Sequence, residues 1–283
     1  MNDVNVDPLV AMQQQYGDSR LLEALASEFA DEPAERRFPA VDLALVDQLH
    51  TRGYAATVDF ATTIGVDAET LVLDVGAGLG GPARFLAETY GCRVFGIDAT
   101  AALVRGAKYL TSRWSGRSDL VEFRIGDALA LPHDDASFDL VWMQHVAMNI
   151  RDRAALYCEV RRVLRPGGRF ATYDVVRKDG ELVYPTPWAR EAAASTVLTS
   201  EETRAALEDA GFHITWSMID TPAALDWVSR TSAAASAIQP PPRGARMLRA
   251  ALGENFREIL ANLGKNYVEG RADVLALIAE RTE

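Results

Sequence analysis

Apolar side chains recur along this chain in two rhythms. Between residues 7 and 30, Leu9, Val10, Met12, Leu21, Leu22, Leu25 and Phe29 return at helical intervals, with a break at Gly17. Asp31-Glu32-Pro33 ends that element, because proline lacks an N–H and disfavours helix in the residue before it. A second helical region runs from about Ala40 to Ile64, broken at Gly53. From Thr70 the texture changes. Short β-rich runs now alternate with stretches long enough for helices: LVLDV at 71–75, RVFGID at 93–98, VEFRI at 121–125, FDLVWM at 138–143 and RFATYDVV at 169–176. RPGG at 165–168 supplies a turn before the fifth of these, and FHITWSMI at 212–219 is a sixth.

Strands separated by helical crossovers predict parallel βαβ units and a doubly wound α/β sheet. Beyond Asp220, residues 223–238 are Ala-rich and helical in pattern, Pro240-Pro241-Pro242 forces an extended break, and 246–268 returns to helix. The closing ADVLALIAER favours helix by propensity, yet such a sheet could also use it as its last strand.

Composition removes several function classes. Forty acidic against 29 basic side chains leave a net charge of −11, a surface that repels a phosphate backbone. Only Lys108, Lys178 and Lys265 are lysines and no dense basic run occurs, so a nucleic-acid partner is not expected. No apolar run approaches the roughly 20 residues of a bilayer span. Residues 1–7 are polar and acidic, without the n- and h-regions of a secretory leader, so a cytoplasmic location is expected. Cys92 and Cys158 are too few for a disulfide framework or a cysteine zinc site, and are read as ordinary buried thiols. No metal is expected.

The chemistry begins at Asp74-Val75-Gly76-Ala77-Gly78-Leu79-Gly80-Gly81-Pro82, directly after the first strand and opening a helix. Glycines there let the backbone turn sharply and approach a ligand closely. Asp98 ends the second strand, 22 residues past Gly76, where a carboxylate can accept the hydroxyl protons of a ribose. The G-x-G-x-G spacing is not the dinucleotide G-x-G-x-x-G, and no P-loop lysine follows.

With these residues, Gly126-Asp127-Ala128 after the third strand and RVLRPGG at 162–168, the chain resembles the class I S-adenosylmethionine-dependent methyltransferases. Within them it is most similar to small-molecule enzymes akin to the ubiquinone/menaquinone C-methyltransferases and the sarcosine/dimethylglycine N-methyltransferases. DQLHTRGYAATVDFA at 47–61 is similar to the H-x-G-G-x-x-A-T stretch ahead of the glycine motif, with Arg52 where many relatives carry glycine. The resemblance implies a Rossmann-like, mostly parallel seven-stranded sheet with a helical insertion before a last strand near 273–281. It divides the chain into a helical cap or lid over 1–65, a core over 66–220, and a segment over 221–283 that completes the core.

Carried over by position, the resemblance places Gly76, Ala77 and Gly78 at the methionine side of the cofactor, with Asp74 orienting the loop. Asp98 binds the ribose and Ala99 lies beside the adenine. Asp127 and Ala128 read the adenine edge, and Gln144 meets the methionine end through its backbone. His145, at the end of the fourth strand, is either a general base near the transferred methyl or a structural histidine capping the next helix. Asn149 and Asp174 are candidate substrate contacts. Tyr184 and Trp188, on a proline-stiffened loop, are either a pocket wall or packing of cap on sheet. Tyr16 and His50 either close over the cofactor or serve surface and packing roles.

The implied activity is methyl transfer from S-adenosylmethionine to a small molecule, on oxygen, nitrogen or carbon, by a monomer or homodimer. The alternative is a protein of this fold that binds the cofactor yet catalyses a non-methylating step such as cyclisation.

Overall fold

The computed structural model describes residues 19–237 and 240–283. Three helices lead, α1 (Ser19–Glu28), α2 (Ala40–Asp47) and α3 (Tyr54–Ile64). Then β1 (Leu71–Val75), α4 (Gly81–Tyr90), β2 (Arg93–Asp98), α5 (Ala101–Arg113), β3 (Val121–Ile125) and β4 (Phe138–Gln144) alternate. The chain continues through α6 (Arg153–Val163), β5 (Leu164–Arg177), α7 (Ser200–Asp209) and β6 (Phe212–Ile219). Helices α8 (Thr221–Ala237), α9 (Arg243–Leu252) and α10 (Phe256–Val268) precede β7 (Ala272–Arg281).

The seven strands form one sheet in the order β3-β2-β1-β4-β5-β7-β6. β1 to β5 are parallel, while β7 runs antiparallel between β5 and β6. Strand order reverses at the β1–β4 junction, and in such sheets a crevice opens at the carboxyl ends of the strands there.

Burial follows the two-residue strand period. Val72, Leu140, Trp142, Val274, Ala276 and Ile278 face one core, which the leading helices, α4 and α5 cover. Leu73, Val75, Val141, Met143, Leu275 and Leu277 face the other, closed by Leu156, Tyr157, Val160 and Val163 of α6 and Leu207 of α7. β7 is buried on both faces although its composition favours helix; pairing with two neighbours overrides propensity. The same helical face of α6 leaves Cys158 exposed, which corrects its reading as a buried thiol; Cys92 is buried.

RPGG does not stop the chain before β5. The strand runs through it, pairing Leu164 with Phe138 and then Arg169 with Leu140, so residues 165–168 are extruded as a bulge. The predicted 246–268 helix is two helices, α9 and α10, separated at 253–255.

Three charged contacts tie the cap down. Arg84 of α4 and Asp47 of α2 form a fully buried ion pair at 2.8 Å, and Arg84 also donates to the carbonyls of Leu79 and Ala107. Arg52 donates to Asp59 and to Asp220, both at 2.5 Å, and the Tyr173 hydroxyl donates to the same Asp220 carboxylate. Arg246 of α9 pairs with Glu28 of α1. Arg52 has φ 65, a left-handed conformation that glycine adopts without strain. Arg52 thus holds a conformation costly for an arginine, and two carboxylates hold its guanidinium.

Candidate active site

The turn after β1 is pinned to β2, because the Gly76 and Ala77 amides both donate to the Ile97 carbonyl, at 2.8 and 2.9 Å. The glycines differ in what surrounds them. A Cβ on Gly76 (φ 73) would lie 2.2 Å from Val146, whereas one on Gly78 (φ 54) would meet nothing within 4 Å. Gly76 therefore serves packing, and Gly78 leaves the backbone open to a ligand.

Asp98 is buried, and its two oxygens accept from the Gly78 amide at 3.0 Å and the Thr100 amide at 2.8 Å. Burial raises its pKa against the pull of those amides. Each oxygen keeps a second lone-pair direction for a further donor. Asp74 is buried behind it with Oδ2 unpartnered, and burial plus the Asp98 charge push its carboxyl up to about 8. Asp127 is exposed, and its Oδ1 accepts from the Leu129 amide at 2.9 Å, fixing the turn that carries Ala128.

At the end of β4, Gln144 is buried and its amide orientation is set by chemistry. Trp142 Nε1, which can only donate, meets Gln144 Oε1 at 3.0 Å, and Thr57 donates to the same oxygen at 3.2 Å. Gln144 Nε2 is left enclosed without a partner. His145 has φ 56, its amide donates to the Tyr173 carbonyl at 2.8 Å, and its Nε2 is enclosed and unpartnered. Its side chain does not cap the short turn of helix at Ala147–Asn149, whose N-terminal residue is Val146. Desolvation, with a smaller contribution from His50, lowers its pKa to about 3.

His50 lies above it on the loop after α2, with Nδ1 3.1 Å from the Thr51 carbonyl and Nε2 2.8 Å from Gln48 Oε1. Burial lowers it to about 4.

One cavity of about 660 Å³ joins these groups. Its wall includes Gly76, Ala77, Gly78, Asp98, Ala99, Asp127, Ala128, Gln144, His145, His50, Asn149 and Trp188. Two candidates lie elsewhere. Asp174 sits behind the wall, where it accepts from the Met148 and Val175 amides at 3.3 and 3.0 Å, and burial pushes it up to about 6. Tyr184 is half-buried against the sheet-side core, its loop held to α10 through Val183 and Asn266. Tyr16 lies outside the described residues. The cavity also contains residues that sequence reasoning passed over: Leu49, Trp227, Leu248, Leu252 and Leu260. A four-residue apolar interval through Leu248, Leu252, Phe256 and Leu260 was the signal available.

Among the described residues, no group of three or more His, Cys, Asp or Glu side chains could hold a metal ion. Nor is any helix long and apolar enough to cross a membrane.

Residues 73–172 match a family described as a methyltransferase domain. Methyltransferase GfsG of Streptomyces halstedii is 34% identical over 168 residues, a match covering 59% of this chain and 59% of that one. The alignment thus spans less than two thirds of that relative's length. Among solved structures, the geranyl diphosphate C-methyltransferase from Streptomyces coelicolor A3(2), in complex with Mg2+, geranyl diphosphate and S-adenosyl-L-homocysteine, superposes with a TM-score of 0.69. It is 18% identical, with 97% of this chain and 98% of that one covered. The [4+2]-cyclase SpnF superposes at 0.65 and 19% identity, covering 96% and 97%. At these identities the two structures establish the shared fold.

Proposed function

We propose that the protein transfers a methyl group from S-adenosylmethionine to a small molecule, a reading supported by the match of residues 73–172 to a methyltransferase domain family. The observation that carries this reading is positional. The glycine turn, Asp98, Asp127-Ala128 and Gln144 come from four different strand ends, yet open on one cavity at the sheet's switch point.

The residues fit the cofactor. Gly78 offers a cradle that any Cβ would narrow, and Asp98 retains lone pairs for two ribose hydroxyls. In this reading Gly76 and Ala77 line the methionine end, with Gln144 beside them, and Ala99 packs on the adenine. Asp127 accepts from the adenine amine through the oxygen its own turn does not use, while the Ala128 amide donates to a ring nitrogen. Bound S-adenosylmethionine supplies a methyl already activated on a sulfonium. The protein's task is then alignment and exclusion of water.

His145, with Asn149 and His50, is proposed to orient the acceptor. An imidazole held near pKa 3 is a weak base, so its role is to stay neutral and hydrogen-bond rather than to remove a proton. The 1–65 cap is proposed as a lid in which α2 stays fixed by the buried Asp47–Arg84 pair. The moving part is α1, held to α9 by Glu28 and Arg246. Action in the cytoplasm, as a monomer or homodimer, completes the proposal.

Incubation with methyl-labelled S-adenosylmethionine and candidate acceptors tests it. Label in the product supports transfer. Product without label, from protein that binds the cofactor, would replace transfer by a step such as cyclisation.

A further inference from the structure

We propose that the acceptor is a mainly apolar molecule without an anionic group, whose hydrocarbon body lies against Trp188, Trp227, Leu248, Leu252 and Leu260. This deepens the proposed function and rests on assigning the other half of the cavity to the cofactor.

Topology divides the cavity. Its Gly76–Leu79, Asp98–Thr100 and Gly126–Leu129 lining comes from the ends of β1, β2 and β3, on one side of β4. Val175 of β5, and Pro187 and Trp188 after it, lie on the other side, where α8 and α10 pack beside β7. Helix α9 reaches the cavity from its seat on α1 and α2 and packs its Leu248 and Leu252 with Leu260 and Trp227. Gln144 and His145, at the end of β4, stand between the two halves.

The halves differ in chemistry. On the first, Asp74, Asp98 and Asp127 face the cavity. On the second, Trp188, Trp227, Leu248, Ala251, Leu252 and Leu260 form a continuous hydrocarbon wall. Leu248, Leu252 and Leu260 are almost wholly buried around that space. The Trp188 indole N–H is turned away to Ser195 Oγ at 3.2 Å, so the wall gains no donor from it. Both ring nitrogens of His50 are occupied by Thr51 and Gln48.

Away from the β1–β3 turns, the charged lining residues are Asp47, paired with Arg84, and Arg151 and Asp152, both exposed, with Asp152 engaged in capping α6 through the Ala155 amide. Arg84, the buried cation nearest the glycine turn, is committed to Asp47. A phosphate or carboxylate entering this half would lose its hydration with no free buried cation in return. Hydrocarbon gains from burial against the same wall.

The test uses the full chain and three probes of equal chain length: 1-octanol, octanoate and octyl phosphate. Each is titrated with and without saturating S-adenosylhomocysteine, and binding is followed by calorimetry and by the fluorescence of the two wall tryptophans. The expected result is that 1-octanol binds at least tenfold more tightly than either anion. Leu252→Arg should erase that preference while S-adenosylhomocysteine affinity stays near parental, with a lower melting temperature because the new charge is buried. Should Leu252→Arg fail to fold, Leu248→Thr provides the milder comparison, and it should weaken 1-octanol at least threefold with unchanged S-adenosylhomocysteine affinity. Anions binding as tightly as 1-octanol, or 1-octanol binding indifferent to these substitutions, would overturn the inference. The two proposals fail separately. Loss of the octanol preference with S-adenosylhomocysteine still bound removes the acceptor class alone. An intact preference in a protein that binds no S-adenosylhomocysteine removes the methyltransferase reading and leaves the apolar chamber in place.

Discussion

The imidazole rings of His50 and His145 stack, with centroids 6.0 Å apart and planes 17° from parallel. One comes from the loop after α2 and the other from the end of β4, so the contact joins the leading helices to the sheet within the cavity wall. Burial is the main reason that both proton affinities fall, to about 4 for His50 and about 3 for His145, and the His50 ring adds a smaller lowering to His145.

This relationship fixes the expected pH profile. An imidazole titrating at its ordinary value would make turnover rise through about pH 6.5. Here both are neutral well below that, so kcat/KM should be flat between pH 5.5 and 7.5 in any term that depends on His145. His145→Gln should cost about tenfold or less, the scale of one hydrogen bond. An inflection near 6.5 that vanishes in this variant, with a loss of 10²–10⁴-fold, would restore the general-base role.

Stability carries the same signature with a definite sign. The unfolded chain protonates both histidines as pH falls through about 6.5, whereas the folded chain resists until about 4 and 3. The unfolded state therefore binds more protons in that window, and these two groups make stability fall as pH drops. Denaturation midpoints at pH 7 and pH 5 should differ less for the His50→Gln/His145→Gln double variant than for the parent. An equal or larger difference would show that the histidines are not desolvated when folded.

Gly76 and Gly78 should separate packing from binding. Gly76→Ala combines positive φ with a Cβ at 2.2 Å from Val146, and should destabilise by more than 2 kcal/mol, roughly the scale of strain plus overpacking. Gly78→Ala has the strain without the clash and should cost about 1 kcal/mol in stability. It should nonetheless weaken S-adenosylhomocysteine at least tenfold. Similar melting temperatures for the two variants would contradict the assignment.

Arg52 offers a comparison of backbone against charge. Both Arg52→Gly and Arg52→Ala lose the contacts to Asp59 and Asp220, but only glycine relieves φ 65. Arg52→Gly should be the more stable of the two by about 1 kcal/mol in urea denaturation. The opposite order would show that the left-handed conformation is not retained.

Much of this was legible in the chain because it is local. The β1 turn is written in consecutive glycines, and Asp98 and Asp127 each follow a short β-rich run, so residue order alone puts them at strand ends. The acceptor half was not legible for the converse reason. Trp188, Trp227, Leu248 and Leu260 lie on separate elements after β5, and no local rule brings them together. Asp174 and Tyr184 show the same limit. Asp174 lies near the end of β5 and Tyr184 on the loop after it, but side-chain direction, set by the sheet pleat and the loop's anchoring to α10, points them away from the cavity. The extruded bulge at 165–168 and the strand at 272–281 were decided by pairing partners far away in sequence.

The central claim stands most directly on calorimetric titration of the parent and Asp98→Ala with S-adenosylhomocysteine. The parent should bind one equivalent, and the variant should lose on the order of 1.5–3 kcal/mol of affinity, the range of charge-assisted hydrogen bonds. Because Asp98 also holds the Gly78 and Thr100 amides, a modest drop in melting temperature should accompany that loss. No heat of binding in the folded parent, or identical affinity in the two proteins, would contradict it.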